Sequence, residues 1–223
     1  MPRPGAEPVR TLVVATRSAH KLAELRELLH LPLTRLVSLD DVGVEAEAPE
    51  DGDTFDLNAI SKARFYAERT RLPTLADDSG LEVDALGGGP GVRTRRYAGE
   101  RATDEQNNEK LLDEMRGLPP ARRGARYRCV LALVEPGRPP GRPGVSGASG
   151  ASDVVVRRGT FEGRIATEPR GTGGFGYDPI FEPARESPGG RTVGLYSAQE
   201  KNRVSHRAAA AHAMRRVLRA RGY

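Results

Sequence analysis

The sequence predicts an α/β protein, and three observations carry that expectation. Thr11-Leu12-Val13-Val14-Ala15 is a short, almost unbroken apolar run, as in strands buried on both faces. A polar loop and a helical pattern (Leu22, Leu25, Leu28, Leu29) follow it directly. Leu75-Ala76-Asp77-Asp78-Ser79-Gly80-Leu81 opens as a β-prone run, then sets two carboxylates and a hydroxyl against a glycine. Residues 126–134 form the longest strand signal in the chain. Open α/β sheets bind ligands beyond the carboxyl ends of their strands, and the Asp-Asp-Ser-Gly stretch is expected at such an end.

Two neighbouring aspartates repel. They are stable together mainly when something positive neutralises them, and a hard divalent cation is the usual candidate. The alternative is a plain surface turn, since Asp, Ser and Gly are common turn residues. Gly87-Gly88-Gly89-Pro90-Gly91 follows closely and favours the first reading. So much backbone freedom is costly unless something must approach the main chain.

The composition sets outer bounds. A chain of 223 residues makes one domain of generous size or two small lobes sharing a cleft. With 29% charged and 37% hydrophobic residues, a soluble globular protein is expected. No apolar run of about 18 residues marks a transmembrane helix, and residues 1–10 lack the apolar core of a secretory signal. The single Cys129 excludes an internal disulfide and suits a reducing cytoplasm; it lies in a strand-like run and reads as a core residue. The net charge of +5 suits a polyanionic partner: nucleic acid, nucleotide or membrane surface. Aromatic residues at 5%, without tryptophan, argue against a single-strand binder built on stacking.

In chain order, the loop Thr16-Arg17-Ser18-Ala19-His20-Lys21 leads from the first strand into a helix ended by Pro32. Its backbone N–H groups, with Thr16, Ser18 and Lys21, suit an anion. His20 reads either as a ligand or as a solvated helix-start residue. Leu36-Val37-Ser38-Leu39 is a second short strand. The acidic loop that follows contains Glu50, Asp51 and Asp53 and leads into a second helix over 57–70; Ile60, Ala63 and Ala67 share one face, with Lys62 on a different side. The segment 92–97 is basic and could face phosphates. Thr103-Asp104-Glu105-Gln106 matches a capping box for a third helix ending near Gly117. Residues 135–152, rich in Pro, Gly and Ser, read as a flexible insertion in a hairpin, because strand signal resumes at 154–156 and again at 161–165. Gly171-Thr172-Gly173-Gly174-Phe175-Gly176-Tyr177-Asp178-Pro179 carries too many glycines for a core strand. It suits a loop hugging a flat ligand, with Phe175 or Tyr177 stacking on it. Ser197-Ala198-Gln199-Glu200 is another capping box, and Ser205 caps an alanine-rich last helix with His206 and Arg207 in its first turn.

Taken together, from about Leu12 to Leu218, these motifs resemble the inosine triphosphate pyrophosphatase family, which hydrolyses non-standard purine nucleoside triphosphates such as dITP and XTP. The stretches 76–80, 171–179 and 200–207 lie nearest. The resemblance implies a mixed, elongated central sheet flanked by helices, with two lobes around a nucleotide-binding cleft, in one domain spanning 1–223. It implies a homodimer, Mg²⁺, a purine nucleoside triphosphate as substrate, and release of pyrophosphate. By motif position Asp78 would be general base and metal ligand, and Glu50 a second acid near the metal. Thr16, Arg17, Ser18, Ala19, His20, Lys21 and Lys62 would bind the triphosphate, and Ser79 would touch substrate. Phe175, Gly176, Tyr177 and Asp178 would form the base-binding loop. Lys201, His206 and Arg207 would surround phosphate and purine.

This chain departs from the family at Arg17-Ser18, where Gly-Asn is common, and at Leu57-Asn58, where Glu-Asn is expected. The second departure removes a possible metal-site acid and leaves Asp53 or Asp56 as a substitute. The insertion after Val134 is longer than expected. Two rivals stay open: a Maf-like pyrophosphatase for modified pyrimidine nucleotides, against which the 171–178 motif argues, and a basic nucleic-acid binder, against which the paired Asp77-Asp78 argues. The resemblance itself implies neither a nucleic-acid nor a membrane partner, and a cytoplasmic location.

Overall fold

The computed structural model describes residues 9–136 and 154–223. The expected Pro/Gly-rich insertion lies for the most part outside them. Six strands form one mixed sheet: β1 (Arg10–Ala15), β2 (Thr34–Val37), β3 (Thr74–Val83), β4 (Gly124–Val134), β5 (Val154–Ile165) and β6 (Phe181–Pro183), in the order β2-β1-β3-β4-β5-β6. β1 runs parallel to both β2 and β3, and from β3 to β6 every pair is antiparallel. Five α-helices accompany them: α1 (Ala19–Leu29), α2 (Phe55–Thr70), α3 (Asp104–Glu114), α4 (Ala198–Val204) and α5 (His206–Ala220). No helix among the described residues is long and apolar enough to cross a membrane.

The caps read from the sequence form as expected. Thr103 with Gln106 and Ser197 with Glu200 make reciprocal capping boxes, and Ser205 accepts a bond from the Ala208 N–H. α1 stops at Leu29, with His30 in the left-handed region (φ 39°), two residues ahead of Pro32.

Alternation along the strands gives the sheet two apolar faces. On one, Leu12, Val14, Leu75, Cys129 and Leu131 pack with Leu25 and Leu29 of α1 and Ala211 and Met214 of α5. On the other, Val13, Ala76, Val130 and Ala132 pack with Ala59, Ala63, Tyr66 and Ala67 of α2. A third cluster fills the far half of the molecule, built from Leu81 and Val83 at the end of β3, Leu111 and Met115 around α3, and Tyr127, Phe161, Tyr177 and Phe181. The charged residues of β3 lie between these clusters.

Two expectations are corrected. β3 does not end at Asp-Asp-Ser-Gly; β4 pairs with it from Thr74↔Val134 to Val83↔Ala125 and holds it extended past the acids. What stops there is β1, whose last pair is Ala15↔Ala76, so the acids begin where the parallel neighbour gives out. The two signals at 154–156 and 161–165 belong to one strand, β5. The apparent break is Gly159, where a Cβ would meet the His206 carbonyl oxygen at 2.1 Å and the Ala210 nitrogen at 2.6 Å; the start of α5 rests on it. At Gly87, Gly88 and Gly91 a Cβ would meet nothing within 4 Å and all three take positive φ, while the Gly91 carbonyl oxygen would lie 2.6 Å from a Cβ at Gly80, so the segment lies close against β3 there.

Candidate active site

Neighbouring residues of a strand point to opposite faces, so Asp77 and Asp78 enter different surroundings. Asp77 is buried on the α1/α5 side. Lys21 Nζ lies 2.5 Å from its Oδ1, while Arg207 Nε (3.3 Å) and the Cys129 thiol (3.2 Å) approach Oδ2. Burial works against its charge, but Lys21 and Arg207 outweigh burial and hold the carboxyl well below the usual range. Asp78 is buried on the α2 side with Lys62 Nζ 3.3 Å from Oδ1, and its Oδ2 has no hydrogen-bond partner. Lys62 is shared with Glu50 Oε1 at 2.8 Å, and burial outweighs it, so the Asp78 carboxyl is pushed up. The cations that let the paired aspartates coexist are therefore the protein's own.

Lys62 sits on the buried face of α2 with Ala59, Ala63 and Tyr66, not on the different side expected; two carboxylates receive its ammonium, which makes its burial tolerable. Asn58 shapes the loop carrying Glu50, accepting from the Gly52 N–H at 2.8 Å and donating to the Gly52 carbonyl at 3.2 Å. Leu57 and Asp53 are exposed, and Asp56 pairs with Arg158. Among the described residues no group of three or more His, Cys, Asp or Glu side chains forms a ready-made metal cage.

In the first loop, Ser18 caps α1 by accepting from the Lys21 N–H, and its own N–H donates to Thr16 Oγ1 at 3.1 Å. Ala19 and His20 open the helix on its exposed side. Arg17 is turned away from Asp77: it pairs with Asp40 at 3.0 Å and donates to the carbonyls of Val44 and Glu45 at 2.8 and 2.7 Å. In the basic 92–97 segment, Arg93 and Arg95 are exposed, and Thr94 Oγ1 accepts from the Leu81 N–H at 2.8 Å.

Across from α1, the Phe175 ring stacks on His20 with centroids 5.3 Å apart, and Lys201 Nζ lies 4.0 Å from the same ring. Asp178 fixes this loop: it accepts from the Phe175 N–H (2.9 Å), Lys201 Nζ (2.7 Å) and the Tyr127 hydroxyl (3.3 Å). Of the two aromatics considered for stacking, Phe175 is the one on the open side. Tyr177 is buried in the third core cluster and its hydroxyl donates to the Thr94 carbonyl at 2.8 Å.

His206 and Arg207 are both buried at the start of α5. The His206 ring lies parallel to Tyr127 with centroids 4.7 Å apart, and its Nδ1 has no partner. Burial first, then the nearby Arg207 and Lys201, hold this imidazole neutral well below its ordinary range. Arg207 also donates to Ser79 Oγ at 2.9 Å, which ties the end of the carboxylate pair to α5. Sequence reasoning missed Glu24, which binds Lys201 at 3.0 Å and Arg207 at 2.5 Å. The available signal was its place one helical turn after Lys21, on the face that meets the sheet's charged edge.

Lys21, Lys62, Lys201 and Arg207 thus converge with Asp77, Asp78, Glu50 and Asp178 around one stretch of β3. A model of the Ham1 family matches residues 12–217. The chain belongs to the Ham1 family. A dITP/XTP pyrophosphatase of Mycolicibacterium paratuberculosis is 46% identical over 95% of this chain and 98% of its own length. A dITP/XTP pyrophosphatase of Geobacter sulfurreducens is also 46% identical, over 88% of this chain and 90% of its own length. Among solved structures, a HAM1 protein from Coxiella burnetii superposes with a TM-score of 0.80 at 39% identity, covering 95% of this chain and 99% of that one. The mixed α/β fold and the family resemblance drawn from the motifs both agree with these findings.

Proposed function

We propose that this chain is a nucleoside triphosphate pyrophosphatase that hydrolyses non-standard purine nucleotides such as dITP and XTP to the monophosphate and pyrophosphate. The observation that carries the reading is Asp78: a buried, under-paired carboxylate beside two lysines, with one oxygen left without a partner. Such a group suits a general base toward a water attacking the α-phosphorus.

The roles follow from placement. Lys21 and Lys62, with the Thr16–Ser18 hydroxyls and the N–H groups at the start of α1, offset triphosphate charge. Arg17, held on Asp40 and the 44–45 carbonyls, supports that loop from outside. Phe175 offers the face on which a purine stacks, and Asp178 holds the loop around Gly176 and Tyr177. Arg207 and His206 offer donors, with Lys201 beside them. A 6-keto oxygen accepts such a bond, whereas the amino group of adenine would face another donor; discrimination of this kind reaches about 10⁴-fold.

Mg²⁺ fits the residues present. It is usually held by one or two carboxylates together with substrate phosphates, and the unpartnered Asp78 Oδ2, with Glu50 joined to the same lysine, offers that donor set. When bound it would supply charge neutralisation on the phosphate oxygens. A homodimer working in the cytoplasm, without nucleic acid or membrane as partner, completes the reading. Ham1 membership favours it over the pyrimidine-directed alternative.

The test is pyrophosphate release from dITP, XTP, ATP and GTP, with and without Mg²⁺. Fast metal-dependent release from dITP and XTP alone is the expected result. Equal release from all four nucleotides would overturn the selectivity argument, and none from any would overturn the reaction.

A further inference from the structure

We propose that the first turn of α3 clamps the base-binding loop, with Asp104 and Asn108 as positioning residues for the purine. The inference rests on the reading that 171–178 receives the base. Gly176 has φ +63° with open space where a Cβ would stand, so it is a glycine for the sake of its backbone turn, and the local bond there is a long one, from the Asp178 N–H to the Phe175 carbonyl at 3.4 Å. Its peptide groups are instead held by one helix. Its N–H donates to Asp104 Oδ2 at 2.6 Å and its carbonyl accepts from Asn108 Nδ2 at 3.1 Å.

The sequence explains why α3 can do this. Asp104 and Asn108 are four residues apart and share a helix face. The Thr103–Gln106 capping box fixes the turn that presents them. Asn107, next to this face, is committed elsewhere: it accepts from the Ala98 N–H at 2.8 Å and donates to the Arg95 carbonyl at 3.1 Å. The Gly176 N–H belongs to the peptide joining it to Phe175, so Asp104 sets the plane that follows the stacking ring. Asp178 holds the other side of that ring's backbone through the Phe175 N–H.

Asn108 adds the observation that points to function. It is buried, its Oδ1 has no partner, and its bond among the described residues is the one to Gly176. A half-satisfied buried amide costs stability. A leucine of similar size would serve the fold at least as well, so the amide's use lies in the loop.

Asn108→Leu and Asp104→Ala, with Asp104→Asn as the conservative variant that keeps an acceptor, test this. Two readouts are followed: amide hydrogen exchange of 171–178 in the free protein, and KM, kcat and the dITP-to-dATP ratio. Expected are faster exchange in N108L and D104A, a KM for dITP raised about 10-fold by loss of one hydrogen bond, an unchanged kcat, a lower dITP-to-dATP ratio, and recovery in D104N. Wild-type exchange and KM in N108L would overturn the clamp even if the enzyme acts on dITP as proposed. Faster exchange in variants of a protein that does not hydrolyse dITP would support the clamp and sink the substrate reading alone. Equal falls in kcat and melting temperature without a change in exchange would make both residues merely structural.

Discussion

Asp77 and Asp78 are adjacent, both buried and both near lysine, yet they end in opposite states. Asp77 is enclosed by Lys21, Arg207 and the Cys129 thiol, with a cation paired to each of its oxygens. Asp78 shares its ion-pair partner Lys62 with Glu50, and its Oδ2 keeps neither an ion-pair nor a hydrogen-bond partner among the described residues. One residue of strand alternation separates a carboxylate that knits α1, β3, β4 and α5 together from one with capacity left for a ligand. Residue type alone assigns them the same role; the number of cations on each face assigns different ones.

The sharpest way to break this contrast is to neutralise each in turn. Asp78→Asn is expected to lower kcat on dITP by about 10²–10⁴-fold, the range for a positioned general base, while the melting temperature stays at or above that of the wild type. Asp77→Asn leaves Lys21 without its anion and Arg207 with Glu24 alone. Breaking a buried pair costs about 3–5 kcal/mol, so denaturant unfolding should show a large loss of stability with this variant. If D78N lost as much stability as D77N, the two carboxylates would be equivalent members of one structural network.

The same contrast marks the limit of what the sequence discloses. Local signals were legible: the capping residues Thr103, Ser197 and Ser205, the apolar run of β1 and the long run of β4 each form what their chemistry suggests. The residues proposed for the site came partly from loops dense in glycine and acid, and for Lys62, Lys201, His206 and Arg207 from the family resemblance. What needed the fold was every statement about partners. Glu24 looks like one more solvated helix acid until Lys201 and Arg207, about 180 positions later, are found on it. Lys62 reads as lying off the apolar face, because an ammonium joins such a face only when carboxylates from elsewhere meet it. Gly159 looked like a gap between strands; only the approach of α5 shows that a side chain is forbidden there. Likewise β3 runs through its acids because of a partner strand some fifty residues away, which no local pattern encodes.

The smallest effect concerns His206, which belongs to the Asp77 side through its neighbour Arg207. Burial, Arg207, Lys201 and Lys21 all oppose its protonation, Asp77 alone among the named charges favours it, and the net effect holds it well below the ordinary 6.5. A group whose basic form is favoured by folding binds fewer protons in the native state than in the unfolded one. Stability therefore rises with pH through the region below 6.5 and is lost as pH falls, by at most about 1.4 kcal/mol per pH unit for one such site. His206→Gln removes the titrating group, so between pH 6.5 and 5 its stability should fall less steeply than that of the wild type, measured by urea unfolding at several pH values. The absolute stability of the variant does not matter for this test, because the lost stack on Tyr127 lowers both ends of the curve alike. Parallel curves would mean that His206 protonates inside the fold, and that Asp77 reaches it more strongly than the intervening arginine should allow.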